Sequence, residues 1–536
     1  MDISELAAQP RSARTLSFYV VFICLVVPVW SMIPFSWLFV IYTIASGRIW
    51  SISWFNLISF VAALCEVLFS IYHYQLSRHV SRPASFAPGD MREIQAAFKR
   101  LLQSGLAYIP EDGGDEESHR QGSPEEDIIQ LEFDDPRAID FRNAMRTWFG
   151  NVPWSSVNRH QVRQWLYWSI YNADLPTHDT LLASQKVVLD LALELLQKRC
   201  GCTFKDNLNP AKLTMRVTLD EVDIRWRPFF FYTTLQFINS SLKRWYKVRW
   251  NVRFGHYDGL EYLIRVPKHW DPVTSPRPII FIHGLGLGLL QYNSVIRHLI
   301  EQFSDRPMLI LLQPQISQHI FHPDFLKPMT RHETADRLAG LISYLGWVHY
   351  DIDEKWTSDD SEEEKEISHS LLDKRKKGVT MLSHSNGSYT HAWVLKGHPK
   401  LVGRSCFIDP VTFCSWEGDV CFNFLYRQPR TGLELLMRYF VATELGVSNV
   451  IRRHFDWVSN TLWFEEIPNA HDPSKAFFLL GGKDSIVHSE RVKRYLTSHG
   501  VKQGLWYDPD GSHGQALLPG SRSHLEILRW VGEADS

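Results

Sequence analysis

The 536 residues leave room for two or three domains, and an apolar share of 45% is enough to bury a large core. A net charge of −2 offers no electrostatic footprint for nucleic acid. Seven scattered cysteines do not make a disulfide framework, and Cys200-Gly-Cys202 lacks the second ligand pair of a zinc site, so the thiols are expected to be reduced and mostly buried.

The N-terminal unit, residues 1–82, meets a different solvent. No charged residue occurs from Thr15 to Gly47, and Leu16 to Ala45 is almost wholly apolar or aromatic. A second run, Ile49 to Leu76, carries only Glu66 and His73 as titratable groups. A bilayer-crossing helix needs about 20 apolar residues, and a signal peptide has a far shorter core. The two runs, at 16–45 and 50–76, therefore predict a membrane hairpin with a very short turn at Gly47-Arg48. Pro28 and Pro34 interrupt the first run and leave open a hairpin that dips into one leaflet or a lipid-droplet monolayer without spanning. Trp30, Trp37, Trp50 and Trp54 supply interface anchors near the turn. Arg11 and Arg14 precede the hairpin and Arg78 and Arg82 follow it, which places both flanks on the cytosolic side, although Arg48 opposes this. The expected location is the endoplasmic reticulum membrane or a lipid droplet. Glu66 is expected to be protonated or paired at a helix contact.

Residues 83–135 combine an amphipathic helix, Asp90 to Leu106, with an acidic linker, Glu111 to Asp135. Residues 136–250 read as helical, with segments at Phe141–Trp148, Val162–Tyr171 and His178–Lys198. Their Trp- and Tyr-rich faces offer either a lipid-contacting platform or packing on the following domain, with packing favoured. Asn239-Ser240-Ser241 is a glycosylation acceptor that should stay unmodified on the cytosolic side.

From 251 to 536 strands alternate with helices. Leu260–Val266, Pro278–Ile282, Pro307–Leu312, Val379–Leu382, Arg404–Ile408, Ala476–Leu480 and Gly504–Tyr507 read as strands, and Thr330–Leu345 as a helix. An acidic insertion, Asp351–Glu366, precedes the central strand. Apolar strands alternating with helices predict an α/β fold: a mostly parallel sheet covered on both faces.

The chemistry concentrates at the ends of those strands. Ser383-His384-Ser385-Asn386-Gly387-Ser388 follows an apolar strand and precedes a helix-compatible segment, Tyr389 to Lys396. Small-x-Ser-x-Gly in that setting is a nucleophile elbow, a strained turn that aims the serine hydroxyl out of the sheet. Ser383 stands where a glycine is usual. His283-Gly284-Leu285-Gly286-Leu287-Gly288 follows the Pro278–Ile282 strand, and its glycines permit close backbone approach. Gly481-Gly482-Lys483-Asp484 and Asp510-Gly511-Ser512-His513-Gly514 follow two later strands. Asp409, after Arg404–Ile408, is an alternative acid, with Asp484 favoured because its loop fits the usual acid position. His384 and His391 are expected to pack or to line the pocket.

In this order the motifs resemble the α/β-hydrolase superfamily over Gly259–Trp530, specifically its serine esterase, lipase and monoacylglycerol-lipase-like branch. The N-terminal hairpin resembles membrane-anchored fungal members. The resemblance implies Ser385 as nucleophile, His513 as general base and Asp484 as the acid. The N–H groups of Leu285 and Asn386 would form the oxyanion hole, on a loop shaped by His283, Gly284 and Gly286. It implies no metal or organic cofactor, and a helical cap over the nucleophile at about 411–466, rich in aromatic and aliphatic residues. The expected activity is hydrolysis of a carboxylic ester, a lipid or other apolar ester met at the membrane. An acyltransferase or thioesterase with the same triad, a peptidase or amidase, and a catalytically silent membrane scaffold remain alternatives.

Overall fold

The computed structural model describes residues 13–48, 53–83, 89–106, 128–177, 179–206, 214–348 and 378–533, together with Leu6. The expected acidic insertion, Asp351–Glu366, and residues 111–127 of the expected linker lie outside the described residues. The longer helices in chain order are α1 (Leu16–Ala45), α2 (Trp54–Ser81), α3 (Met91–Gln103), α4 (Pro136–Met145), α5 (Arg159–Tyr171), α6 (Ala183–Cys200) and α7 (Phe229–Trp250). After them come α8 (Leu289–Gln302), α9 (Arg331–Tyr344), α10 (Gly387–Gly397), α11 (Gly432–Met437), α12 (Ser489–Ser498) and α13 (Arg522–Gly532).

The described strands are β1 (Arg253–Tyr257), β2 (Leu260–Arg265), β3 (Ile279–Ile282), β4 (Met308–Leu312), β5 (Val379–His384), β6 (Val402–Ile408), β7 (Ala476–Gly481) and β8 (Leu505–Asp508). They form one sheet in the order β1-β2-β4-β3-β5-β6-β7-β8, antiparallel at the β1–β2 and β2–β4 pairs and parallel elsewhere. Side chains alternate between two cores. Ile280, Ile282, Leu309 and Leu311 face the core shared with α9, α10 and the cap, whereas Ile279, Phe281, Met308 and Ile310 face α8 and α13. A strand covered on both faces must be apolar at every position, which is why β3 and β5 are buried throughout. This is the α/β-hydrolase fold, with the ends of β3, β5, β7 and β8 opening on one edge. Strand β1 was not among the expected elements, although its signal is present. Asp258 and Gly259, at φ +43° and +81°, make the two-residue hairpin turn into β2.

The two N-terminal helices are long and apolar enough to cross a membrane. Contrary to expectation, the prolines do not break α1. A π-turn at Phe22–Val26 stands just ahead of Pro28, and the helix runs on through Pro34. A widened turn is a recognised way to accommodate a ring that clashes with the preceding carbonyl. The helices pack on each other through Val40, Phe60, Ala63 and Val67, and the Trp37 indole donates to Ser70 Oγ at 3.0 Å.

Their remaining lengths dock on the body. Phe18 and Val26 of α1 pack with Leu435 and Tyr439 of the cap, and the Gly432 N–H donates to Ser17 Oγ at 3.1 Å. On α2, the Glu66 carboxylate accepts the N–H groups of Phe229 and Phe230 at 2.6 and 2.8 Å. These are first-turn donors of α7 that no helical carbonyl can reach, and an acidic group is favoured there. Glu66 is thus paired at a helix contact. Trp148, Trp154, Trp165 and Trp168 of the helical region pack inward, whereas Trp226, Phe230, Phe237 and Trp245 at and along α7 are exposed. The Trp148 indole donates to the Trp416 carbonyl at 2.7 Å, and Arg491 bridges Asp140 and Glu417.

At Gly432 α1 leaves no room on the cap for a side chain, because a Cβ there would lie 2.7 Å from the Ser17 carbonyl oxygen. Gly432→Val is expected to push α1 off the cap at a cost of about 1–3 kcal/mol. Deuterium exchange should rise across 430–442. Unchanged exchange and an unchanged melting temperature would show that α1 only rests against this surface.

Candidate active site

The site is built at the end of β5. Ser385 has φ +51°, a conformation rare for a residue with a side chain, and follows the last residue of the strand directly. Gly387 must be glycine, since a Cβ would stand 2.4 Å from the Ile282 carbonyl oxygen. Ser388 closes the turn: its hydroxyl donates to the Ser385 carbonyl at 2.7 Å and accepts the Val411 N–H at 3.1 Å. The unusual Ser383 is fully buried, and a buried hydroxyl needs a partner. It finds one in His391 Nδ1 at 2.9 Å, whose Nε2 meets Ser405 Oγ at 3.1 Å. Burial holds His391 down at about 3, so the ring is neutral and joins β5, α10 and β6. His391 therefore packs, as expected, but through a specific polar chain.

The structure brings Ser385, His513 and Asp484 into one series. His513 Nε2 lies 2.8 Å from Ser385 Oγ, and His513 Nδ1 lies 2.6 Å from Asp484 Oδ2. Asp484 Oδ1 accepts the N–H groups of Ile486 and Val487 at 2.7 and 3.0 Å, which fixes the carboxylate's orientation. Burial would lower the His513 imidazole. The Asp484 charge and hydrogen bond outweigh it and raise the group to about 9. The associated stability is fully present below the unperturbed value of 6.5 and is lost as pH climbs through about 9.

Asp409 does not touch His513. Its Oδ1 accepts the Gly481 N–H at 3.0 Å and its Oδ2 the Gly514 N–H at 2.7 Å. It thereby ties together the two loops that carry Asp484 and His513. Burial first, and the Asp484 charge next, push Asp409 up to about 6, against the pull of His513 and the two N–H groups. Asp409, Asp484 and His513 each bring a ligand-capable atom within 4.8 Å of the others. Those atoms already pair with each other or with backbone N–H groups.

Across from Ser385 lies the loop after β3. Among the described residues, neither the Leu285 N–H nor the Asn386 N–H donates to a backbone or side-chain acceptor, so both remain available to an oxygen on a carbon bonded to Ser385 Oγ. Gly284 lets the loop approach the elbow, where a Cβ would stand 2.9 Å from the His384 carbonyl oxygen. His283 turns away from the serine, its Nδ1 2.8 Å from the Gly284 carbonyl oxygen. The Gly286 N–H donates to the Ile316 carbonyl at 3.1 Å.

Tyr292 and Asn239 carried no sign of a role at the site in the sequence, and His384 was expected only to pack or to line the pocket. The Tyr292 hydroxyl accepts the Gly284 N–H at 2.9 Å and lies in hydrogen-bond contact with His384 Nδ1 at 2.9 Å, tying loop to elbow. His384 stands beside the His513 ring at 5.2 Å between centroids, and burial together with the His513 charge keeps it neutral. Asn239 of α7 holds the loop from outside: its Nδ2 donates to the Leu287 carbonyl at 3.2 Å and its Oδ1 accepts the Leu290 N–H at 3.0 Å. The cap closes over the assembly, with Asn423 and Arg427 donating to the carbonyls of Ile486 and Ser485 at 3.0 Å each. Ser385 is left 8% exposed.

No protein-family model matches this chain, and no curated protein matches it. Among solved structures, it is similar to a bacterial membrane phospholipase A described as a virulence factor, at 14% identity and TM-score 0.34, over 57% of this chain and 94% of that one. It is also similar to a putative aryl esterase from Burkholderia cenocepacia (15% identity, TM-score 0.31, 52% of this chain and 97% of that one). A carboxylesterase from Bacillus subtilis overlaps 56% of this chain and 100% of its own at 10% identity and TM-score 0.33. A shared fold leaves the chemistry to be argued from the site.

The two aspartates separate experimentally. Asp484→Asn removes the charge facing His513, so kcat for ester turnover should fall by roughly 10⁴-fold. The ascending limb of kcat/KM against pH, set near 9 by neutralisation of His513, should also move down. Asp409→Asn instead turns an amide N–H₂ toward a backbone donor. The expected loss is about 1–3 kcal/mol of stability with a smaller fall in kcat. The reverse ranking would make Asp409 the acid.

Proposed function

We propose that this chain is a membrane-anchored serine hydrolase of the monoacylglycerol-lipase-like kind, cleaving carboxylic esters of apolar acyl chains. The observation that carries the reading is the unbroken hydrogen-bonded series Ser385–His513–Asp484, beneath two uncommitted backbone donors. As Ser385 Oγ bonds to the ester carbon, its proton passes to His513 Nε2, and the Asp484 charge stabilises the imidazolium so formed. The carbonyl oxygen becomes an anion facing the N–H groups of Leu285 and Asn386. Collapse breaks the bond to the alcohol oxygen, which leaves with the proton from Nε2, and an acyl-Ser385 remains. Water then gives a proton to Nε2 while its oxygen attacks the acyl carbon. Return of that proton to Ser385 releases the carboxylic acid.

Two features support a lipid ester. The helices α1 and α2, read as a hairpin in a membrane with the body on the cytosolic side, pack directly on the cap and on α7. The cap itself buries Phe413, Trp416, Leu425 and Tyr439 within a domain's width of that hairpin. Burying an acyl chain gains about 0.8 kcal/mol per CH₂, so four added methylenes favour binding by roughly two hundredfold before any cost of moving the cap.

Ser385→Ala should abolish labelling by a fluorophosphonate probe and lower turnover by several orders of magnitude without changing the melting temperature. Near-normal turnover in that variant would remove the nucleophile assignment. Across monoacylglycerol esters of rising chain length, kcat/KM should climb. A flat or falling series would leave a general carboxylesterase tethered by its hairpin.

A further inference from the structure

The loop His283–Gly288 is held from two sides. On the side of the sheet, the Gln313 amide donates to the His283 carbonyl at 3.3 Å and the Gly286 N–H donates to Ile316. Within the loop, the Leu287 N–H donates to Gln291 Oε1 at 3.0 Å. The other side is held by one residue outside the sheet domain, Asn239, which uses the donor and the acceptor of its amide on Leu287 and Leu290. The backbone passes close beneath it: a Cβ on Gly288 would meet Asn239 Nδ2 at 3.4 Å and Ser317 Cβ at 3.1 Å. Asn239 is itself fixed, because Tyr246 of the same helix donates to Asn293 of α8 at 2.8 Å and Glu66 caps the first turn.

Resting on the serine-hydrolase reading, we propose that Asn239 is a positioning residue for the oxyanion loop, setting the direction of the Leu285 N–H. A side chain needed only for packing would not require both amide atoms to meet the backbone of the loop. The bonds to Gln313, Ile316 and Gln291 survive without Asn239, so its loss leaves the loop folded but free to shift. A donor must reach the oxygen of the tetrahedral adduct at 2.7–3.1 Å, and a shift of a few tenths of an ångström weakens it. The ground-state ester carries little charge on that oxygen, so the loss falls on kcat rather than on KM.

The test compares the full chain in detergent micelles with Asn239→Ala, which removes both bonds, and Asn239→Asp, which keeps the acceptor for Leu290. Turnover of a p-nitrophenyl ester is normalised to active sites titrated to completion with a fluorophosphonate, so misfolded protein does not count. Asn239→Ala should lose roughly 10- to 100-fold in kcat per titrated site, short of the 10²–10³-fold seen when an oxyanion donor is deleted outright. KM should stay within twofold, and the ascending pH limb should not move because the triad is untouched. Affinity for a boronic acid, whose adduct on Ser385 is tetrahedral, should fall by the same factor, and Asn239→Asp, which sets a carboxylate oxygen against the Leu287 carbonyl, should lose at least as much. If kcat per titrated site stays within twofold of the parent chain, or if a rise in KM accounts for the whole loss, the proposal is overturned. A parent chain that reacts with neither probe nor ester overturns the hydrolase reading and this one together.

Discussion

The close approach of the elbow to the strand beside it is the constraint on which the site depends. Ser385 sits at φ +51° because the chain must leave β5 and enter α10 within one turn. That turn lies so close to the end of β3 that no side chain fits at 387 or 284. The strain is of order 1–3 kcal/mol and persists only where surrounding contacts over-determine it. Here they are the Ser388 hydroxyl, the Tyr292 bridge and the two cores that clamp β3 and β5 from opposite faces. The same turn sets the loop at Gly284 directly against the elbow, where a Cβ would stand 2.9 Å from Ser385 Cβ.

Sheet order turns this into a charge network. Strands β5, β6, β7 and β8 are consecutive neighbours and parallel, so the loops after them open on one edge. Ser385, Asp409, Asp484 and His513 each follow one of these strands. Two carboxylates and an imidazole in a buried site repel or attract strongly, and the network divides the work. Asp484 faces the imidazole and raises it, while Asp409, next to another anion and short of water, is pushed toward neutrality. Asp409 is held in place by two backbone donors instead of a cation, which suits a clasp better than a catalytic acid.

How much of this was legible follows from how local each signal is. The elbow, the glycine-bearing loop, the Gly-x-Asp and the His-Gly are short patterns whose geometry is set within a few residues, and the structure brings those residues together. Strand β1 was missed although Asp258-Gly259 marks its turn, because Arg253–Tyr257 alternates weakly and lies at the sheet edge. The prolines of α1 read as interruptions because sequence shows the lost N–H but not the π-turn that absorbs it. Asn239 read only as a glycosylation acceptor, Ser383 as a departure from the usual glycine and His391 as a packing or pocket residue, while Tyr292 and Ser405 left no signal. Each acts across a tertiary contact, where no periodicity in the chain records the partner.

The helices outside the sheet complete the logic. Helix α1 packs on the cap, and α2 caps α7, whose Asn239 reaches the loop opposite Ser385. The two walls of the site are therefore each joined to one arm of the same N-terminal pair. Those arms are locked together by Val40, Phe60, Ala63 and Val67. Ser385, Asp484 and His513 all follow strands of the sheet itself, so the hydrogen-bonded series they form does not draw on these helices. What the added helices govern is how cap and loop sit over Ser385, which is 8% exposed.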